Sequence, residues 1–280
     1  MSEVTGTLGC VGRHDGRQLL GLNGNILLDQ ATVFKQPFKD VQANFQIRPA
    51  APDVLLVGLR APLFGGDVAG QVRVEFTSTR HFEVNLTASQ IDLKQLGAHN
   101  FPKSGVEGLA VGRLHLTGQG AGVDTLDGNG SIDMPLGKLL NLPLLLDLLK
   151  FLGLHWPDRT AFEEMHALFG IHGRRVQLRR LDLMGNAISL SGKGEFDLDG
   201  SDLQVDFYPT WRVEQLLPPS VRPVPSTISK NLLTIEMRGK VGSNPDKELK
   251  FNKRWVPVVF DPLHNLQQRV VGDMRLDKKE

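Results

Sequence analysis

Residues 71–88 read QVRVEFTSTRHFEVNLTA, and apolar and polar residues alternate in both halves of this segment. The alternating apolar residues are Val72, Val74, Phe76, Phe82, Val84, Leu86 and Ala88. Successive side chains of a β-strand point to opposite faces, so a period of two predicts two strands, each with one apolar and one polar face.

The same alternation recurs downstream in four further stretches, which are residues 113–117, 176–183, 194–200 and 202–208. Leu114 and Leu116 are the apolar members of the first stretch. The second stretch slips at Arg179 and Arg180, which predicts a β-bulge.

Short glycine-rich or polar segments between the strands predict hairpin turns. These segments are residues 65–67, 118–120, 128–130, 185–186 and 199–201. Many strands in sequence order, joined by tight turns, predict a mainly β protein. We expect an elongated antiparallel meander with an apolar concave face and one or two short helices. A second sheet, helices or a bound hydrophobic ligand must then cover the apolar face.

The leucine-rich segment LLNLPLLLDLLKFL at residues 139–152 predicts the main helix, at residues 141–152. Asn141 is a plausible N-cap, Pro143 lies in the first turn and Gly153 suits a C-cap. Such a helix either packs on the sheet as part of the core, or touches a membrane or closes a lipid groove. A second short helix is predicted at residues 161–168.

Changes in residue composition and in the alternation pattern divide the chain into four segments. They are an N-terminal β repeat at 1–60, a β region at 61–209, a proline-rich segment with a last strand at 210–250 and a charged tail at 251–280.

Composition excludes several classes of function. Lys plus Arg number 32 and Asp plus Glu number 31, and a net charge of +1 does not favour binding to nucleic acid. The single cysteine, Cys10, allows no intramolecular disulfide and no thiolate cluster. The sequence contains neither a secretory signal nor an apolar run long enough to span a bilayer. We therefore expect either a cytoplasmic protein or a fragment, and favour the fragment.

The order of the elements supplies a resemblance. A Gly-Gly turn feeds a strand at residues 64–76, two G-x-L-x-L-x-G-like hairpins follow at 106–134, and the leucine-rich helix comes next. Further hairpins at 160–200 and the stretch LLTIEMRGKVGSNPDKELKF at 232–251 complete the series. This order resembles the C-terminal region of the AsmA-like family, which includes TamB-like proteins that bridge the bacterial envelope.

The resemblance implies a location in the periplasm or cell envelope, with an inner-membrane anchor in a segment absent from this chain. It also implies an apolar trough and a role in phospholipid transport between membranes or in outer-membrane maintenance. Phospholipid acyl chains are then the expected partners, with a membrane surface or other envelope proteins beside them, and no nucleic acid. The candidate lipid-facing residues are Val72, Val74, Phe76, Phe82, Val84, Leu86, Leu114 and Leu116.

Catalytic motifs are not apparent, and we expect neither an enzyme nor a cofactor or metal. Gly128-Asn129-Gly130-Ser131 lacks the last glycine of a nucleophile elbow, and Gly192-Lys193-Gly194 is interpreted as a hairpin turn. Cys10 and His14 are close in sequence, but a nucleophile and its base need a fold that orients both. His166 and His172 flank the end of the predicted second helix, near Glu163, without the spacing of a metal motif.

Arg174, Arg175, Arg179 and Arg180 form the only basic cluster. Arg174, Arg175 and Arg179 are candidates for contact with a lipid headgroup. The alternative is a solvated strand face whose arginines pair with carboxylates such as Asp182.

Two other functions stay open. A structural β domain or envelope scaffold, with its apolar face fully closed, shows the same alternation as an open trough. An enzyme with an unrecognised site is the third hypothesis.

Overall fold

The computed structural model describes residues 4–17, 19–33, 36–48, 53–100, 107–120, 122–135, 137–138, 162–185, 188–211, 233–240 and 249–255. These residues form a mainly β protein. Fourteen strands lie in one sheet in sequence order, and every neighbouring pair is antiparallel. A further two-residue strand, Gly137–Lys138, pairs with the start of the strand Glu107–Gln119. The predicted antiparallel meander is therefore confirmed.

The first seven strands in chain order are β1 (Thr5–His14), β2 (Leu19–Val33), β3 (Gln36–Arg48), β4 (Asp53–Leu63), β5 (Gly66–Glu75), β6 (His81–Asp92) and β7 (Glu107–Gln119). The later strands are β8 (Asp127–Met134), β9 (Gly137–Lys138), β10 (Glu164–His172), β11 (Arg175–Met184), β12 (Ile188–Asp197), β13 (Leu203–Trp211), β14 (Leu233–Gly239) and β15 (Leu249–Trp255). A helix, α1 (Leu93–Asn100), follows β6, and a 3-10 turn, Val123–Thr125, precedes β8.

The register places the alternating apolar residues of neighbouring strands on one side of the sheet. Val72 of β5 lies opposite Val84 of β6, and Val84 lies opposite Leu116 of β7. Directly opposed side chains share a face of the sheet. We call this side the apolar face. The other side is the polar face, on which Arg73 of β5 lies opposite Glu83 of β6.

The predicted bulge at Arg179 and Arg180 is confirmed, since the pairing of β11 with β12 shifts between Leu178 and Leu181. The bulge keeps both of these leucines on the apolar face although they are three residues apart. A matching shift occurs in β4 between Leu56 and Leu59, around Gly58 with φ +62°.

The predicted helix at 161–168 is wrong, because residues Glu164–His172 form strand β10. Strand β10 pairs with β8 on one side and with β11 on the other. Its apolar-face residues are Met165, Ala167, Phe169 and Ile171. The short helical pattern is overridden by this pairing. The predicted helix at 141–152 lies outside the described residues.

Helix α1 was not predicted, although it has a sequence signal. The Asp92 carboxylate accepts hydrogen bonds from the backbone N–H groups of Lys94 (2.8 Å) and Gln95 (3.4 Å) and from the Gln95 side chain (2.9 Å). An acidic residue followed three positions later by Gln is a helix-start pattern of the capping-box type.

Two of the predicted turns are wrong because their glycines lie inside strands. Gly128 and Gly130 belong to β8, and Gly192 and Gly194 belong to β12. The ring of Phe169 lies over Gly130, its register partner, and a Cβ there would collide with the ring. The same pairing recurs at Phe45 over Gly24, Phe82 over Gly118 and Phe207 over Gly192.

Of the other predicted turns, those at 65–67 and 199–201 are close to observed turns at Phe64–Gly65 and Leu198–Asp199. The turn at 118–120 begins at Gly120, after β7 ends. Residue 186 of the remaining turn lies outside the described residues.

Candidate functional site

The part of the apolar face between β4 and β8 is the candidate site. Seven of the eight lipid-facing candidates lie on it, in register across β5, β6 and β7. Phe76 is the exception, because it follows the end of β5 and is 59% exposed. Val72, Val74, Val84, Leu86 and Leu114 are all half-buried.

One end of this region is closed by an apolar cluster beside α1. Val68 of β5, Ile91 of β6 and Ala110 of β7 are its buried members. Phe64 from the β4–β5 turn and Leu96 from α1 pack against them. Helix α1 and this cluster close the end of the region at which β6 leads into α1. We call the cluster the α1 wall.

The other end is closed by a second cluster, which we call the turn wall. Leu126 follows the 3-10 turn and packs with Leu116, Ile171 and Val176, all of them buried. Phe82 packs against the same group. Two of the lipid-facing candidates, Phe82 and Leu116, are therefore part of this wall.

The strip between the two walls retains apolar exposure. Val84 and Leu114 pack against the turn wall and Leu86 packs against the α1 wall, yet each stays half-buried. The described residues form no second sheet that could lie over this strip.

The same face is closed further along the sheet. Leu183 is 2% exposed, Leu190 is 0%, Phe207 is 1% and Ile235 is 0%. At the other edge of the sheet, Leu8 of β1 is 63% exposed. The apolar face is thus more exposed at Leu8 of β1 and on the strip than at these residues of the later strands.

Two headgroup candidates are held by carboxylates. Arg174 donates to Asp124 at 2.7 Å, and this hydrogen bond raises the pKa of Arg174. Arg175 lies 2.7 Å from Asp202, 3.2 Å from Glu195 and 3.1 Å from Asp197. Its pKa is raised chiefly by the hydrogen bond to Asp202.

The other two arginines of the cluster differ from each other. Arg180 pairs with Asp182, which also accepts a hydrogen bond from Ser191 at 2.8 Å. Arg179, in the bulge of β11, has no ion pair with any described residue, and its guanidinium lies against Gly170 of β10. Three of the four arginines thus have the carboxylate partners of the solvated-face alternative.

The two histidines considered for a metal site lie far apart on the polar face. His166 and His172 both lie on β10, six residues apart, which separates them by about 20 Å along the strand. His166 is 2.8 Å from Asp133 and His172 is 2.9 Å from Asp127. The part of the chain that the structure describes holds no group of three or more residues suited to a metal.

Cys10 and His14 lie on the same edge strand, β1, where Cys10 is exposed. Four residues of a strand separate them by about 13 Å, too far for one to activate the other directly.

The described helix is too short and too polar to cross a membrane. No family model, no curated protein and no solved structure matches this chain.

Proposed function

We propose that this chain is a non-catalytic lipid-handling component of the bacterial cell envelope, whose apolar face holds phospholipid acyl chains. Transport of phospholipid between the membranes, or maintenance of the outer membrane, is the expected outcome. The observation that carries the proposal is the half-buried apolar strip across β4 to β8, bounded by a wall at each end. The resemblance of the element order to the AsmA-like family supports it.

The dimensions of the strip suit an acyl chain. Four strand spacings across β4 to β8 measure about 19 Å. A single leaflet contributes about 15 Å of a hydrocarbon core that is roughly 30 Å thick. An acyl chain lying across the strands, between the walls, therefore finds apolar side chains along its length.

The energetic reason for such a strip is the cost of exposing acyl chains to water. Each methylene contributes about 0.8 kcal/mol when it is buried. A phospholipid that leaves a membrane needs an apolar surface of this extent to offset that loss. Val72, Val84 and Leu114 supply such a surface without charged neighbours on the same face.

The test is Val84→Arg, with Ser89→Arg as the matched control on the same strand. Ser89 is exposed and lies opposite Asp67, so an arginine there adds the same charge away from the strip. We expect mass spectrometry of a solvent extract to find phospholipid with the wild-type chain and the control, and little with Val84→Arg. Transfer of a fluorescent phospholipid between vesicles should follow the same order.

A closed structural domain or scaffold is the second candidate function. The complete burial of Leu190 and Ile235 favours it for the later strands. Wild-type protein free of lipid, together with unfolding of Val84→Arg, would support this second function and reject lipid handling.

A further inference from the structure

A groove of about 670 Å³ lies on the polar face, behind the strip. Its side chains include Asn85 of β6, Arg113 and His115 of β7, and Asn129 and Ser131 of β8. The register places these residues on the face opposite Val84 and Leu116. A ligand in this groove therefore does not compete with a lipid on the apolar face.

The groove contains no carboxylate among its lining residues, although the polar face carries many elsewhere. Asp127 and Asp133 lie outside it, and Glu83 borders it, accepting a hydrogen bond from Asn85 and lying 4.0 Å from His115 Nδ1. The lining instead offers hydrogen-bond donors: the Arg113 guanidinium, the Asn129 amide and the Ser131 hydroxyl. Such a set favours an anion.

Ion pairing separates two arginines from the rest. Strands β5 to β15 contain seven arginines, and five of them pair with carboxylates: Arg73, Arg175, Arg180, Arg238 and Arg254. Among these seven arginines, only Arg113 and Arg179 have no such partner within the described residues.

These two arginines flank two positions of β8 that lie on the same face, two residues apart, with Arg113 lining the groove and Arg179 at its border. Arg113 lies directly opposite Ser131, and Asn129 lies directly opposite Gly170 of β10. The Arg179 guanidinium covers Gly170, since a Cβ there would be 2.8 Å from a guanidinium nitrogen. The backbones of β7 and β10 are two strand spacings apart, about 10 Å, which the two long side chains are able to bridge around one small anion.

His115 adds a second kind of contact. Its Nδ1 is 2.7 Å from Asn85 Oδ1, and the Asn85 amide nitrogen donates to Glu83 at 3.0 Å. Asn85 Oδ1 is an acceptor, so Nδ1 carries the proton in this hydrogen bond. In the neutral ring, Nε2 then accepts from a hydroxyl of a ligand.

We propose that the groove binds the phosphate group of a hydroxyl-bearing phosphomonoester. Arg113 and Arg179 contact the phosphate from two sides, Asn129 and Ser131 donate to it from below, and His115 accepts from a ligand hydroxyl. Guanidinium groups match the geometry of phosphate oxygens and form strong charge-assisted hydrogen bonds with them. The phosphate group belongs to either a soluble organic phosphate or a lipid headgroup with a terminal phosphate.

The experiment is calorimetric titration with glycerol 3-phosphate of the wild type, Arg113→Gln, Arg179→Gln and the double variant. Arg13→Gln is the matched control, because Arg13 is an exposed arginine of β1, six strand spacings away. We expect each groove variant to weaken binding about tenfold or more, the double variant to abolish it and the control to keep it. All three substituted positions are solvent-exposed, so the unfolding curves of the variants should coincide.

The source of the phosphate is separated by a second arm. Vesicles of phosphatidylcholine with phosphatidylinositol 4-phosphate, whose headgroup has a terminal phosphate and free hydroxyls, are compared with phosphatidylcholine alone in cosedimentation. Binding to the first only, lost in the double variant, identifies a headgroup; binding of glycerol 3-phosphate alone identifies a soluble ligand. The proposal is overturned if neither probe binds, or if Arg13→Gln weakens binding as much as the groove variants do.

The outcome does not depend on lipid handling at the strip. Val84→Arg should leave glycerol 3-phosphate binding unchanged, and Arg113→Gln should leave extracted phospholipid unchanged. A failure of one proposal is therefore distinguishable from a failure of the other.

Discussion

Strands β5 to β7 and strands β11 to β14 have the same alternation and present it to the same side of one sheet, but they differ in exposure. Val72 and Val84 are half-buried, whereas Leu190 and Ile235 are 0% exposed. The alternation of apolar and polar residues therefore determines which face of a strand is apolar. It does not determine whether other side chains cover that face.

The size of neighbouring side chains accounts for part of this difference. In the later strands Phe207 lies over Gly192 and beside Ile235, its register partner in β14. Leu183 and Leu190 are also paired directly. In the earlier strands the corresponding pairs are formed by the smaller Val72 and Val84, and small side chains cover less of their neighbours.

Phe207→Arg should have the largest effect on stability. The arginine would be an unpaired charge in a closed core, and the variant would also lose the phenylalanine packing. We expect a loss of about 4 kcal/mol or more in the free energy of unfolding, which is a large part of the stability of an ordinary domain. Chemical denaturation measures this loss. A variant as stable as the wild type would show that the later strands are not a closed core.

Val84→Arg should cost only about 1 kcal/mol, because a guanidinium on a half-buried strip reaches water with its charged end. Denaturation under the same conditions as for Phe207→Arg measures the contrast. Equal losses in the two variants would mean that the strip is closed in the same way as the later strands.

Asp92→Ala should lose about 1 kcal/mol, the usual contribution of a helix cap, and loosen the α1 wall. Asp92→Asn is the control, since asparagine caps equally well. The hydrogen bond from the Gln95 side chain, supported by the backbone N–H groups of Lys94 and Gln95, holds the pKa of Asp92 below its ordinary value of 3.8.

The sign of the pH dependence follows from that lowered pKa. The folded state binds the Asp92 proton less readily than the unfolded state, so the contribution is present above pH 3.8 and is lost as the pH falls through the lower folded pKa. Unfolding curves between neutral pH and pH 3 should show this loss in the wild type and less of it in Asp92→Asn. Identical acid dependence of the two would contradict a role for this carboxylate.

Leu8→Ser should have the smallest effect. Leu8 is on the apolar face of β1 but is 63% exposed, so its replacement removes little buried area. We expect a change within about 0.5 kcal/mol in the free energy of unfolding. A loss comparable to that of Phe207→Arg would show that the face is covered at the β1 edge as well.

Sequence reasoning identified the strands where local alternation was long, as at His81–Asp92, and the bulge where it slipped, at Arg179. It failed where a local signal has two meanings. Glycine favours turns, yet Gly130 and Gly192 lie within strands because a phenylalanine on the next strand occupies the space of the missing side chain. Residues 161–168 were predicted to form a helix, but from Glu164 onwards they belong to strand β10, which pairs with β8 and β11.

Part of the candidate site was likewise predictable from the sequence and part was not. The lipid-facing candidates on β5, β6 and β7 were placed on one face by sequence alone, since side-chain alternation is a property of each strand. Phe76 lies outside this register because β5 ends before it. The polar groove was not predicted, because Asn85, Arg113 and Asn129 come from three strands that no local pattern connects.

The amino-acid sequence by itself determined the antiparallel meander and the side of the sheet that each residue faces, because both depend on the period of two and on short connections. Three properties depend on the folded structure: which apolar residues are buried, which glycines are packed under a phenylalanine ring, and which arginines form ion pairs with carboxylates. These properties depend on register between strands that are distant in sequence. Arg175 and Arg179 show this most directly: they are four residues apart, but the first is held by Asp202 and the second lies over Gly170.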